Sequence, residues 1–289
     1  MTLNGSKHMK HDIREFGFRV LDKVPDTIKD YSPSEKDTII ETGGMVSIYN
    51  FMQKTREVVT PMKSSQRYDD VSWSGCKTYD NYLQLLNNGD ENIIRNIKEM
   101  TNKRLKELHS KYKEGFRGYK FDVEGQFFDI GKVLEGVPEV WLTPDPNEEE
   151  KPRVTIRLDI TFSSKVSPEE VVNGSSRVLS IVKFLEEHGV EVRIMSLVIV
   201  KKYRRDNRSN ILMLTNIKDY NEKINYAKVS ALISPTFLRR GYFRVAELVA
   251  GSYLDDSYGR PENKLEGFVR INITSDIDKL ENNLLGGGK

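Results

Sequence analysis

Much is missing from this chain of 289 residues, and each gap removes a class of explanation. There is one cysteine, Cys76, so no intrachain disulfide can form, which fits a reducing cytosol. The four histidines, His8, His11, His109 and His188, do not cluster into a zinc pattern. No apolar run approaches the roughly 20 residues of a membrane span, and the N-terminus lacks a secretory signal's apolar segment. We therefore expect no membrane partner and a cytoplasmic location. Lys and Arg number 45 against 43 Asp and Glu, a net charge of +2. A field that small draws in neither nucleic acid nor membrane as a whole, so any such attraction must be local. The Gly-x-x-x-x-Gly-Lys-Ser/Thr, His-Glu-x-x-His and Gly-x-Ser-x-Gly patterns do not occur.

What is present is a strong folding signal between Lys151 and Lys202. Residues 153–162 alternate, with Val154, Ile156, Leu158 and Ile160 on one face, as a half-buried strand requires. Ser167, Pro168 and Glu170 then form a capping-box start, and Val171 to Leu185 supplies a helical apolar stripe that stops at Gly189. Residues 190–200 form a second apolar strand. Strand, helix and strand in this order most simply make a right-handed parallel crossover. Residues 211–217 form a third strand, an antiparallel hairpin partner of the second. Helices over 221–233 and from Ser234 to Gly251, a strand over 267–273 and a last helix capped by Ser275 complete this half.

The N-terminal half is less regular. Residues 1–11 read as a flexible tail, as do 286–289. Phe16 to Leu21 forms a small strand or turn, and 45–52 a short helix. Thr78 caps a helix that ends at Asn87 to Asp90, where a longer helix over 91–113 begins. A strand at 119–123 and a short helix from Asp129 follow. Residues 143–152 carry three prolines and four acids, an exposed linker. The expected organisation is a mainly helical region over 12–142, this linker, and an α/β domain over 153–285.

Three constellations offer chemistry. Asp159, Thr161 and Ser163 sit at the carboxyl end of the first core strand, where open α/β sheets bind ligands. A carboxylate and two hydroxyls spaced by two could hold Mg²⁺; the alternative is a polar strand face leading into a loop. Lys201, Lys202, Tyr203, Arg204, Arg205 and Arg208 form a basic cluster at the hairpin tip, with Arg239 and Arg240 as further candidates. Such a cluster suits phosphate contact and base stacking, or else a charged guard on a sheet edge. Cys76 before a helix, and His188 at a helix end, are a small buried side chain and a dipole partner rather than nucleophile and base.

The Asp-x-Thr-x-Ser run and the order of elements resemble a von Willebrand factor A-like domain. That resemblance implies a Rossmann-like three-layer sandwich with an antiparallel edge strand and an N-terminal, mainly helical region. Thr161 replaces that family's first Ser, and its later ligands have no clear counterpart. Trp73-Ser-Gly-Cys76, the piece from Asp129 to Pro138 and the core strand, helix and strand, within residues 71–205, also resemble an uncharacterised family found in bacteriophage genomes, which implies a host cytoplasm or a virion. Together these readings point to a non-enzymatic binding or assembly module with a protein partner or a second copy of itself. The alternatives are nucleic-acid binding at residues 201–208 and a metal-dependent enzyme centred on Asp159.

Overall fold

The computed structural model describes residues 13–23, 25, 37–56, 76–112, 119–122, 127–128, 141–144, 151–161, 166–204, 207–234, 236–250 and 269–285. Both tails, the Asp129 helix and most of the 143–152 linker lie outside them. A short 3-10 turn at Ile13–Phe16 leads into β1 (Arg19–Leu21), β2 (Thr38–Thr42) and α1 (Met45–Lys54). The helical hairpin expected from the sequence is α2 (Tyr79–Asn88) and α3 (Glu91–Lys111). Thr78 caps α2 by accepting from the Asn81 amide, and Asp90 caps α3 by accepting from Ile93. Strands β3 (Tyr119–Asp122), β4 (Phe127–Phe128) and β5 (Trp141–Pro144) form a small antiparallel sheet, with β5 in the middle.

The second half supplies β6 (Arg153–Asp159), α4 (Pro168–Glu187), β7 (Glu191–Arg204) and β8 (Asn207–Lys218). The capping box at α4 is complete: Ser167 accepts from the Glu170 amide while the Glu170 carboxylate accepts from the Ser167 amide. β6 and β7 pair in parallel, as the crossover demands, and β7 and β8 pair antiparallel. The chain continues through α5 (Tyr226–Leu232), a π-helical segment (Phe237–Tyr242), α6 (Phe243–Ala250), β9 (Val269–Arg270) and α7 (Thr274–Leu285).

The main sheet has six strands in the order β1-β2-β8-β7-β6-β9. β8 is therefore not the edge strand that the resemblance implied. Thr38–Thr42 pairs with it in parallel, and β1 pairs antiparallel beyond that. The reason is apolar supply on both faces. Ile40 joins the main core while Ile39 joins a second cluster with Met195, Leu197, Ile199, Leu212 and Leu214. A strand that is apolar on both sides belongs inside a sheet. Among the described residues, every helix contributes to the first cluster, whereas the second consists of strand residues alone. The first cluster also joins Ile13 to Leu108 with Ile156 to Leu285, so the apolar core spans both sides of the linker.

Two helices differ from their sequence reading. α5 starts at Tyr226 rather than at 221, because Asn225 caps it by accepting from Lys228, and because Asp219 and Glu222 close a turn of their own. The expected helix from Ser234 to Gly251 is split into a π turn and an α segment. Gly241 lies in the π turn, where a Cβ would stand 2.5 Å from the Tyr82 hydroxyl.

Gly174 fixes how α4 meets the rest. It sits inside a 20-residue helix, where glycine costs about 1 kcal/mol relative to alanine. A Cβ there would lie 1.6 Å from the Ile271 carbonyl oxygen, so the bare backbone lets the β9–α7 connection press onto the helix. Gly174→Ala is expected to destabilise the protein by about 3 kcal/mol, because overpacking outweighs the propensity gain. Urea unfolding checks it, and a variant as stable as the parent would show that this contact does not govern the packing.

Candidate functional site

The carboxyl ends of β6 and β9 lie side by side, with Asp159 opposite Arg270 in the register. The α4 capping box and the first turn of α7 follow them in the chain. Asp159 is 9% exposed. Its Oδ1 accepts the Thr161 amide at 2.8 Å, a carboxylate closing a tight turn on its own backbone. Thr161 is buried, and its Oγ1 accepts the Ile199 amide at 3.3 Å. The Ile160 amide donates to the Leu197 carbonyl at 3.3 Å. These bonds carry the β6–β7 attachment two residues past the formal end of β6.

Burial pushes the Asp159 carboxyl above its ordinary range. The Thr161 bonds and the Arg270 charge pull it back only in part, and Asp276 adds to the rise. Arg270 itself is held by Asp276, which is buried in the first turn of α7. The contacts are Nε to Oδ2 at 2.7 Å and Nη2 to Oδ1 at 3.3 Å, a two-pronged grip. Its hydrogen bond to Asp276 raises the Arg270 pKa. The sequence reading missed this pair. The only signal was an arginine ending a strand and an acid in the following helix start, too common a pattern to single out.

Asp159 and Thr161 each accept a neighbouring backbone amide, and Ser163 lies outside the described residues. Among the described residues, no three His, Cys, Asp or Glu side chains are grouped to hold a metal ion. The other sequence candidates are also engaged. The Cys76 thiol donates to the Thr78 carbonyl at 3.4 Å, and His188 Nδ1 lies 2.6 Å from the Phe184 carbonyl at the end of α4. His109 Nε2 contacts Glu187 at 2.8 Å.

The basic cluster takes a definite backbone form. β7 and β8 stay paired through Lys201↔Asn210, Lys202↔Ser209, Tyr203↔Arg208 and Arg204↔Asn207. The neighbouring strands stop earlier, because β6 pairs with β7 only as far as Leu197 and β2 with β8 only from Ile211. Among the described residues, four residue pairs therefore run on as a two-stranded ribbon, about 13 Å long at 3.3 Å per residue. Arg205 lies outside the described residues. Arg240 does not join this cluster. It is 1% exposed in the π turn, with Nη2 at 3.4 Å from the Cys76 carbonyl.

Among the described residues no helix is long and apolar enough to cross a membrane. A family model described as a domain of unknown function (DUF7192) matches residues 19–282. No curated protein and no solved structure matches the chain.

The Asp159 geometry makes a signed prediction. Its folded-state pKa is raised above the unfolded value of about 3.9, so the parent protein loses stability as pH rises through that window. Asp159→Asn keeps an Oδ1 acceptor for the Thr161 amide and removes the buried charge. The variant is expected to be more stable than the parent at neutral pH, with the gain vanishing in acid where the parent's carboxyl is protonated. Denaturant midpoints at both pH values check this. A destabilised variant would show that the buried charge is not a liability, and a parent midpoint that rises with added Mg²⁺ would show Asp159 acting as a ligand.

Proposed function

Taking as premise that the chain belongs to the DUF7192 family, we propose that it is a non-enzymatic binding module whose contact element is the β7–β8 ribbon. The observation that carries this reading is the ribbon itself, which continues past its sheet neighbours on both sides. Residues 201–208 hold five cations and a single acid, in a chain of net charge +2. The partner that such an element fits is nucleic acid. Lys and Arg neutralise backbone phosphates, and a two-stranded ribbon has the width that a DNA major groove admits. Tyr203 adds a ring on which an unpaired base can stack. The engagement of Asp159, Thr161, Cys76 and His188 by backbone groups supports binding rather than catalysis.

The test is charge reversal. Arg204→Glu with Arg205→Glu should weaken binding to double-stranded DNA and lower the slope of log affinity against log salt by about two. Fluorescence anisotropy across a salt series reads both quantities. Unchanged affinity and slope would remove the ribbon as a nucleic-acid element.

A second reading, self-association, rests on β1. Its outer side carries no strand among the described residues, and Val20 on it is 38% exposed. An open edge is a template for strand addition by another chain. Light scattering should give a dimer for the parent and a monomer for Val20→Lys. A monomeric parent at high concentration would dispose of it.

A further inference from the structure

α3 and α4 pack side by side along the middle of their lengths. Thr101 on α3 donates to the Ser176 carbonyl on α4 at 3.4 Å, and Ile97, Leu105 and Leu108 bury inward. α4 meets this seam with the small side chain of Ser176 between Asn173 and Arg177, and the outer seam is not filled. A groove of about 420 Å³ remains, lined by Met100, Lys103, Arg104, Glu107, Asn173, Ser176 and Arg177. That volume is within the range of small-molecule sites.

Its polar lining is cationic and fixed from behind. Glu281 of α7 is buried and accepts from Arg104 Nη2 at 3.0 Å, Lys111 Nζ at 2.7 Å and the Tyr112 hydroxyl at 3.2 Å. Burial alone would raise its carboxyl, but the bonds from Lys111 and Arg104 outweigh that and hold it below its usual range. Asp278 holds Arg177 at 2.5 Å, and Arg177 also stands 3.9 Å from Glu281. Glu107 takes Arg104 Nη1 at 2.6 Å. These acids orient the two guanidinium groups without matching the local charge, since Lys103, Arg104, Lys111 and Arg177 face Glu107, Asp278 and Glu281. Lys103 is exposed on the groove wall with no hydrogen-bond or ion-pair partner among the described residues. Arg104 Nε is buried without an acceptor among the described residues, and Asn173 lines the groove opposite α3.

We propose that this groove binds a phosphate monoester carried by a small molecule, with Lys103 as the charged donor and Arg104 and Arg177 as positioned guanidinium donors. A phosphate presents several acceptor oxygens and about two negative charges, which matches one unpaired ammonium beside two oriented guanidiniums. The site is separate from the ribbon and does not depend on it.

The experiment is isothermal titration of the full chain with O-phosphoserine and with inorganic phosphate, at constant ionic strength set by chloride. Saturable binding of O-phosphoserine is expected. Lys103→Glu should weaken it by about tenfold or more, the loss expected for one charge-assisted hydrogen bond, while Lys103→Arg retains most of it. Lys103 is exposed, so a melting temperature like the parent's establishes that each variant is folded. Binding of inorganic phosphate alone, without O-phosphoserine, would overturn the monoester and leave an inorganic anion site. No saturable heat from either probe, or equal binding by Lys103→Glu, would overturn the groove. DNA affinity measured on the same variant should not change, so failure here and failure of the ribbon reading are told apart.

Discussion

The β7–β8 ladder is the constraint on which the other elements depend. β7 is apolar on both faces, with Val192, Ile194, Val198 and Val200 in the helix-side core and Met195, Leu197 and Ile199 in the opposite cluster. A slip of one residue would exchange these two sets, so the register is strongly determined. A bulge between Ile194 and Met195 sets it further. There Lys218 is buried, and its Nζ donates to the Val192 carbonyl at 2.6 Å and pairs with Glu186 at 2.7 Å. Glu186 lies in the last turn of α4, so the buried ammonium also meets the negative end of that helix. One charge thereby ties the end of β8 to the start of β7 and to the crossover helix.

On the helix side of the sheet, a buried polar chain extends that order to β2. The Tyr242 hydroxyl donates to Thr215 Oγ1 at 2.6 Å, Thr42 Oγ1 donates to the same oxygen at 3.0 Å, and Ser196 Oγ lies 3.3 Å from the Tyr242 oxygen. Burial pushes Tyr242 up to about 12, so its hydroxyl remains a donor at any physiological pH. Each such bond contributes about 1 kcal/mol net, but leaving one of these groups unpaired would cost about 1–3 kcal/mol. The network therefore selects the arrangement more than it stabilises it. Tyr82 illustrates the other case. Its hydroxyl is buried without a partner among the described residues, burial pushes its pKa well above the ordinary value, and Gly241 makes the room it occupies.

The crossover was legible because its signals are local. Alternation over 153–160, the Ser167–Glu170 box and the apolar stripe of α4 each lie within one element, and the Thr78 and Asp90 caps are equally short-range. β2 was not legible as part of this sheet. Ile39 and Ile40 are a brief apolar pair, and Thr42 meets its partner Thr215 across 173 positions. Asp159 was legible as a residue but not as a role. A carboxylate two positions before a hydroxyl reads the same whether it will hold a cation or its own backbone, and the bond to the Thr161 amide is a tertiary detail that no spacing encodes. The groove between α3 and α4 was invisible for a related reason. Its lining comes from two helices whose facing surfaces are fixed by packing, not by any spacing within either one.

Charge distribution connects these observations to function. The described polar groups at the carboxyl end of β6 hold β6 to β7, and those at the end of β9 hold it to α7. The near-neutral total conceals a segregation. Residues 201–208 carry a net +4 in a chain of +2, so the rest of the chain is net negative by two. At physiological salt a charge is felt over roughly 8 Å, less than the length of the ribbon that bears this one. An anionic partner would therefore meet attraction at the ribbon and weak repulsion from the rest of the chain. Under the proposed function, that asymmetry would orient an encounter without requiring a high total charge.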